Sequence, residues 1–163
     1  MIKITKLHPS TICAGLAAFS AACLGFALIG QYGFNLHPCE LCIMQRFPFG
    51  IVIGLGSIGF FVTKAARPMA ALSALALLVN SGIAAFHSGV ERKWWEGLQG
   101  CSTPDMSGSI EDLLTRIQNT AVRRCDEIPW SLFGLSMANY NVLICLAVGM
   151  ATALYLYTTR KQA

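Results

Sequence analysis

Four long apolar stretches set the pattern of the chain. They run from about Thr11 to Gly30, Ile43 to Val62, Met69 to Ser88 and Met137 to Tyr157, and only the second holds a charge, Arg46. At 1.5 Å of rise per residue, a stretch of about 20 residues crosses the roughly 30 Å hydrocarbon core of a bilayer. A backbone in lipid has to satisfy its own hydrogen bonds, so each stretch is predicted to be a helix. The predicted fold is an all-α bundle of four transmembrane helices, with residues 1–163 as a single membrane domain. The first stretch is longer than the roughly 7–15 residues of a signal-peptide core and is read as a retained helix. Small residues at spacings of four (Ala14, Ala18 and Ala22; Gly50 and Gly54; Gly149 and Ala153) are expected to let helices approach closely. The long polar segment, 89–136, contains Ile110, Leu113, Leu114 and Ile117 on one helical face, with Ser109 and Asp112 as a capping pair. A short amphipathic helix is expected there, lying on the membrane surface or packed on protein.

Composition supports the membrane reading. Hydrophobic residues make up 55% of the chain and charged residues 12%, where a soluble domain carries about 25% charged residues. The net charge is +4, and no basic stripe interleaved with aromatics is present, so nucleic acid is not an expected partner. The charges also orient the chain. Lys3, Lys6, Lys64, Arg67, Arg160 and Lys161 crowd beside the spans in three short segments that hold no acid, whereas all 8 acidic residues lie in the other two segments, Glu40 in the first and the rest in 89–136. By the positive-inside rule both termini are expected in the cytoplasm. Trp94, Trp95 and Trp130 then fall near the opposite interface.

Seven cysteines carry the candidate chemistry. Cys13, Cys23 and Cys145 lie in apolar spans and read as small buried hydrophobes. Cys39, Cys42, Cys101 and Cys125 all fall on the non-cytoplasmic side, an oxidising compartment if this is the periplasm. The C-x-x-C spacing favours Cys39 with Cys42 and leaves Cys101 with Cys125. Two structural staples, or a zinc site of four thiolates, are the alternatives; zinc suits the spacing of Cys101 and Cys125 poorly, and no metal is expected. A disulfide across two intervening residues gains little loop entropy, and redox exchange is its more frequent use. Arg46 lies four residues after Cys42, on the same helical face, where a guanidinium and the helix N-terminus both favour thiolate. Glu40 works in the opposite sense. No haem, flavin or nicotinamide motif is present, so a lipid-borne quinone is the expected electron acceptor.

The run His37-Pro38-Cys39-Glu40-Leu41-Cys42-Ile43-Met44-Gln45-Arg46 at the start of the second span resembles the DsbB family of disulfide bond formation proteins. The second cysteine pair and Phe133-Gly134-Leu135 entering the last span fit the same family. The resemblance implies an inner-membrane thiol:quinone oxidoreductase. A DsbA-like periplasmic thiol oxidase would be reoxidised through Cys101–Cys125, with Cys101 forming the mixed disulfide. Electrons would pass to Cys39–Cys42, then to ubiquinone, or to menaquinone under low oxygen. Cys42 would face the quinone beside Arg46, with Cys39 resolving, and His87 resembles a family histidine near the quinone. Lipids are the remaining partner. The competing readings are a paralogue serving a dedicated partner, a quinone-linked reductase resembling vitamin K epoxide reductase (whose C-x-x-C comes late in the chain), a non-enzymatic scaffold with structural disulfides, and a metal-binding protein using Cys39, Cys42, His37 and His87.

Overall fold

The computed structural model describes residues 7–97, 109, 125, 126, 128 and 130–160. Cys101 and the expected amphipathic helix, apart from Ser109, lie outside the described residues.

The first apolar stretch forms α1, Pro9–Gly33. Pro9 needs no N–H at a helix start, and the His8 side chain caps the end by accepting from the Ser10 N–H. The second stretch is two helices, α2 (Glu40–Met44) and α3 (Arg46–Phe61), which meet at Gln45. Pro48 explains the break: it has no N–H for the Met44 carbonyl, and its ring crowds that carbonyl. A short 3₁₀ turn, Thr63–Ala65, leads into α4, Ala66–Glu91. After residue 130 come β1 (Ser131–Leu132) and β2 (Leu135–Ser136), an antiparallel hairpin pairing Ser131 with Ser136 and Leu132 with Leu135. Phe133 and Gly134 form its turn with φ of 51° and 76°, the left-handed pair that a tight hairpin requires. The chain continues as α5, Met137–Arg160. Among the described residues, four segments are long and apolar enough to cross a membrane: α1, α2–α3, the turn with α4, and α5. The fold is therefore the expected all-α membrane bundle. Each span extends beyond its apolar stretch by a few polar or small residues.

The helices pack in the order α1, α3, α4, α5, and α1 and α5 make almost no contact with each other. Side chains such as Phe47, Phe60, Phe61 and Leu75 point outward and exposed, as a lipid-facing surface requires. Polar side chains join α4 to α5: Ser81 Oγ donates to the Val142 carbonyl (3.0 Å) and Ser88 Oγ to Asn139 Oδ1 (2.6 Å). At the end opposite the hairpin, Arg67 donates to the Leu156 carbonyl (2.7 Å) and the Tyr155 hydroxyl to the Leu7 carbonyl (2.8 Å). The described ends of the chain, the turn bearing Lys64 and the start of α4 bearing Arg67 therefore share one end of the bundle. Cys39, Cys42 and Cys125 occupy the other.

Two expectations are corrected. Ala18, Ala22, Gly50 and Gly54 are exposed, so the small-residue stripes of the first two spans do not form the interface there. The close approach is made by Gly56 and Gly59, on the buried face that also carries Phe49 and Val52. A Cβ at Gly56 would lie 2.6 Å from the Cys13 carbonyl oxygen, and one at Gly59 would lie 2.5 Å from Cys13 Sγ. Glu91, assigned from sequence to the long loop, is the last residue of α4 and is buried.

Gly56→Leu is therefore expected to destabilise the bundle by about 1–3 kcal/mol, the usual cost of overpacking, while Gly54→Leu stays close to wild type. Thermal unfolding of the purified protein in detergent checks this; equal midpoints for the two variants would refute the packing.

Candidate functional site

Pro38 ends the loop after α1, and Cys39 becomes the N-cap of α2. Its sulfur accepts from the Cys42 backbone N–H at 3.3 Å. This cap brings the two thiols together: Cys39 Sγ donates to Cys42 Sγ across 3.0 Å. Closing them into a disulfide, with sulfurs about 2.05 Å apart, takes a movement of roughly 1 Å. Cys39 is 8% exposed and precedes the second span. Its hydrogen bond to Cys42, then burial, push its thiol up to about 12, with His87 pulling the other way.

α4 brings two further groups. His87 Nε2 lies 3.5 Å from Cys39 Sγ, and Glu91 Oε1 lies 3.9 Å from the same nitrogen. Both side chains are buried, at 4% and 8% exposure. The hairpin closes the group, because Ser136 Oγ donates to Glu91 Oε2 and also accepts from Asn139 Nδ2 at 3.0 Å. The break at Gln45 turns that side chain into the core, where its Nε2 is 2.9 Å from His87 Nδ1 and its Oε1 accepts from Asn141 Nδ2 at 2.5 Å. Arg46, one residue on, is anchored across the bundle by donating to Gln31 Oε1 of α1 at 2.6 Å.

These residues form the polar end of a largely apolar cavity of about 750 Å³. Cys39, Cys42, Gln45, Arg46, His87 and Glu91 line that end. Phe19, Cys23 and Phe26 of α1 and Ile144 of α5 line the apolar walls, and Trp130 and Leu132 lie at the hairpin. The volume is in the range that holds a small-molecule ligand. The cavity lies between α1 and α5, the two helices that scarcely touch. Buried Cys125 packs in one cluster with Cys39, Leu41, Val90 and Cys42.

The expected site residues thus converge, except Cys101, which lies outside the described residues. Cys39, Cys42 and Cys125 cluster, Arg46 and His87 share the cavity wall, and His87 stands directly against a thiol. Ligating atoms of Cys39, Cys42 and His87 lie within 4.8 Å of one another, close enough for a metal ion. The sulfurs, however, are nearer each other than the roughly 3.8 Å adopted by two thiolates on tetrahedral zinc. The spacing is closer to that of a dithiol ready to form a disulfide. His37 lines the cavity but hydrogen-bonds the Asn35 carbonyl at 3.0 Å. Cys13 and Cys145 are buried, and Cys13 Sγ donates to the Ala66 carbonyl at 3.2 Å. The sequence reading missed Gln45, Glu91, Asn141 and Ser136. A signal existed, since Glu91 follows His87 by one helical turn and both amides interrupt apolar runs.

Comparison with known proteins agrees with this geometry. The family model described as disulfide bond formation protein DsbB matches residues 9–155. A disulfide bond formation protein B of Aromatoleum aromaticum is 32% identical, covering 90% of this chain and 91% of its own. One from Dechloromonas aromatica is 28% identical over 92% and 94%, and one from Xanthomonas axonopodis is 32% identical over 80% and 76%. A match over most of the chain, on a four-span bundle with paired thiols at one end, makes this a multi-pass membrane protein of the DsbB disulfide bond formation family.

Proposed function

We propose that the protein is a thiol:quinone oxidoreductase of the bacterial inner membrane, which reoxidises a DsbA-like thiol oxidase and so generates disulfides de novo. The observation that carries this reading is the placement of Cys39 and Cys42. They stand at the polar end of an apolar cavity that faces a gap between lipid-exposed helices, with Cys125 in the same buried cluster.

In this reading the partner's dithiol attacks a Cys101–Cys125 disulfide at Cys101 and leaves oxidised. The released Cys125 thiolate attacks Cys39 of an oxidised Cys39–Cys42 pair; one S–S bond forms, one breaks, and Cys42 leaves as thiolate. Cys101 then displaces Cys39, restoring the loop disulfide and leaving Cys39 and Cys42 as dithiol. These exchanges relocate a disulfide without net oxidation, at rates set by the attacking and leaving thiols. A bound ubiquinone, or menaquinone, would supply a two-electron acceptor that takes up two protons as it becomes quinol. Re-forming Cys39–Cys42 releases two electrons and two protons, so the sum balances. Arg46, held by Gln31, presents a fixed positive charge where negative charge develops on an acceptor oxygen. The residues fit such a group: apolar walls for a ring and isoprenoid chain, and a guanidinium and imidazole at the thiol end. The active cysteines face the periplasm and both termini the cytoplasm, supported by the charge pattern and by the common end of the bundle shared by Lys64, Arg67 and the described chain ends.

Purified protein supplied with a reduced DsbA-like oxidase is expected to convert ubiquinone to quinol, followed by absorbance, and Cys42→Ser is expected to abolish turnover. Continued turnover by the serine variant would sink the reading. Arg46→His should raise the quinone concentration for half-maximal rate about tenfold, the cost of one charge-assisted hydrogen bond, with thermal stability kept; an unchanged value would remove Arg46 from the site. A Cys39 thiol pushed up to about 12 stays protonated at neutral pH, and its thiolate fraction grows as pH rises towards that value. Among singly alkylated chains of the reduced protein, mass spectrometry should therefore find the label on Cys39 in fewer than about one in ten at neutral pH, with its share increasing with pH. Equal labelling of both thiols at neutral pH would contradict the assignment.

A further inference from the structure

Five side chains, all buried except the half-buried Asn141, join into one hydrogen-bonded chain that ends at the thiols. Asn80 Nδ2 donates to Cys145 Sγ (3.5 Å), the Cys145 thiol donates to Asn141 Oδ1 (3.0 Å), Asn141 Nδ2 donates to Gln45 Oε1 (2.5 Å), and Gln45 Nε2 meets His87 Nδ1 (2.9 Å). Every amide along it points its N–H groups towards His87. A ring nitrogen that accepts from an amide carries no proton, so the neutral imidazole keeps its proton on Nε2. That nitrogen faces Cys39 Sγ at 3.5 Å and Glu91 Oε1 at 3.9 Å.

We propose that Gln45 and Asn141 are positioning residues that lock His87 as the Nε2–H tautomer, so that His87 donates a hydrogen bond to the Cys39 sulfur and does not act as the base that takes its proton.

The far end of the chain decides its direction. As it stands, Asn80 Oδ1 is buried without a partner. Turning every amide over would give that oxygen to the Cys145 thiol and strand the Asn80 amino group, with two N–H donors, in the apolar core. An under-satisfied carbonyl is tolerated in protein interiors more readily than an orphaned N–H. The observed direction also suits the thiols. Cys39 donates its own proton to Cys42 Sγ and accepts from the Cys42 backbone N–H. A second N–H, from His87, completes a donor pair aimed at the Cys39 sulfur. Those donors are in place before charge appears on that sulfur during exchange, which is how a preorganised site stabilises developing charge. A cysteine beside a histidine is commonly read as a nucleophile with its base; here the amide chain reverses that role. Its catalytic meaning rests on the proposed thiol exchange at Cys39, while the tautomer itself does not.

The test is ¹⁵N NMR of full-length protein labelled at histidine, reduced, in detergent, without quinone, with the His87 signals assigned by their loss in His87→Gln. Wild type is expected to show a protonated Nε2 and an unprotonated Nδ1. Asn141→Leu, which leaves His87 untouched, frees Gln45 to rotate and should move the two resonances towards each other as both tautomers become populated. Gln45→Glu places a carboxylate against Nδ1 and should transfer the proton there. The initial alkylation rate of Cys39 should fall in Asn141→Leu by no more than the share of the Nε2–H tautomer that is lost, and further, up to about tenfold, in Gln45→Glu, where the donor is lost altogether. A wild-type spectrum with the proton on Nδ1 would overturn the proposal even if neither variant folds, and so would an unaltered tautomer in a folded Asn141→Leu protein. Absence of quinone reduction with the tautomer as stated would instead refute the oxidoreductase reading and leave the positioning role standing.

Discussion

A polar side chain within a membrane bundle has no water to turn to, and the rest of this structure follows from that constraint. Each unsatisfied group in hydrocarbon costs several kcal/mol, whereas a hydrogen bond between membrane helices returns on average about 0.6 kcal/mol. Avoiding the penalty therefore decides which faces meet, more than any gain from the bonds. Asn80, Ser81 and Ser88 of α4 all find partners on α5. Arg46 spans the cavity wall to Gln31 on α1. Once those faces are committed inward, His87 and Glu91 are carried to the thiols by the periodicity of α4 alone.

The two thiols of the pair are chemically unequal because of where one helix begins. Cys39 is the cap, outside α2, buried and donating its proton to Cys42. Cys42 is in the first turn and receives that proton's hydrogen bond. A difference of one helical turn thus separates the sulfur that donates a hydrogen bond from the sulfur that receives it, although both line the cavity. Pro48 contributes at a distance. By interrupting the helix after Met44 it turns Gln45 inward, so a residue with no reactive group governs the orientation of one that has it.

The bundle was legible in the sequence because four apolar runs of spanning length admit few other folds, and the pairing of Cys39 with Cys42 was legible because C-x-x-C at the start of a span puts both thiols within one helical turn. Helix contacts were less legible. Glycines at positions 50, 54, 56 and 59 look alike in one dimension, and only their phase relative to Phe49 and Val52 tells which ones meet α1. The long polar segment hid Glu91, since a carboxylate just after an apolar run reads as loop until a buried serine from a distant hairpin is seen to hold it. Cys125 was expected at the same end of the bundle as Cys39 and Cys42, where it lies, but its packing in their cluster depends on tertiary contacts with no local signature. The hairpin at Phe133 and Gly134 is too short for any alternation pattern to reveal.

Because the backbones of α1 and α5 stay apart, the cavity between them is not closed by helix against helix at the thiol end. A ligand seated with its head at the thiols can leave its tail in the bilayer without threading it through protein. Under the thiol–quinone reading, recognition is then confined to the head group, and isoprenoid length goes unread. Such a protein would draw on whichever quinone pool its membrane holds, and its choice between acceptors would follow ring chemistry and abundance, with no change in the chain required when the pool changes.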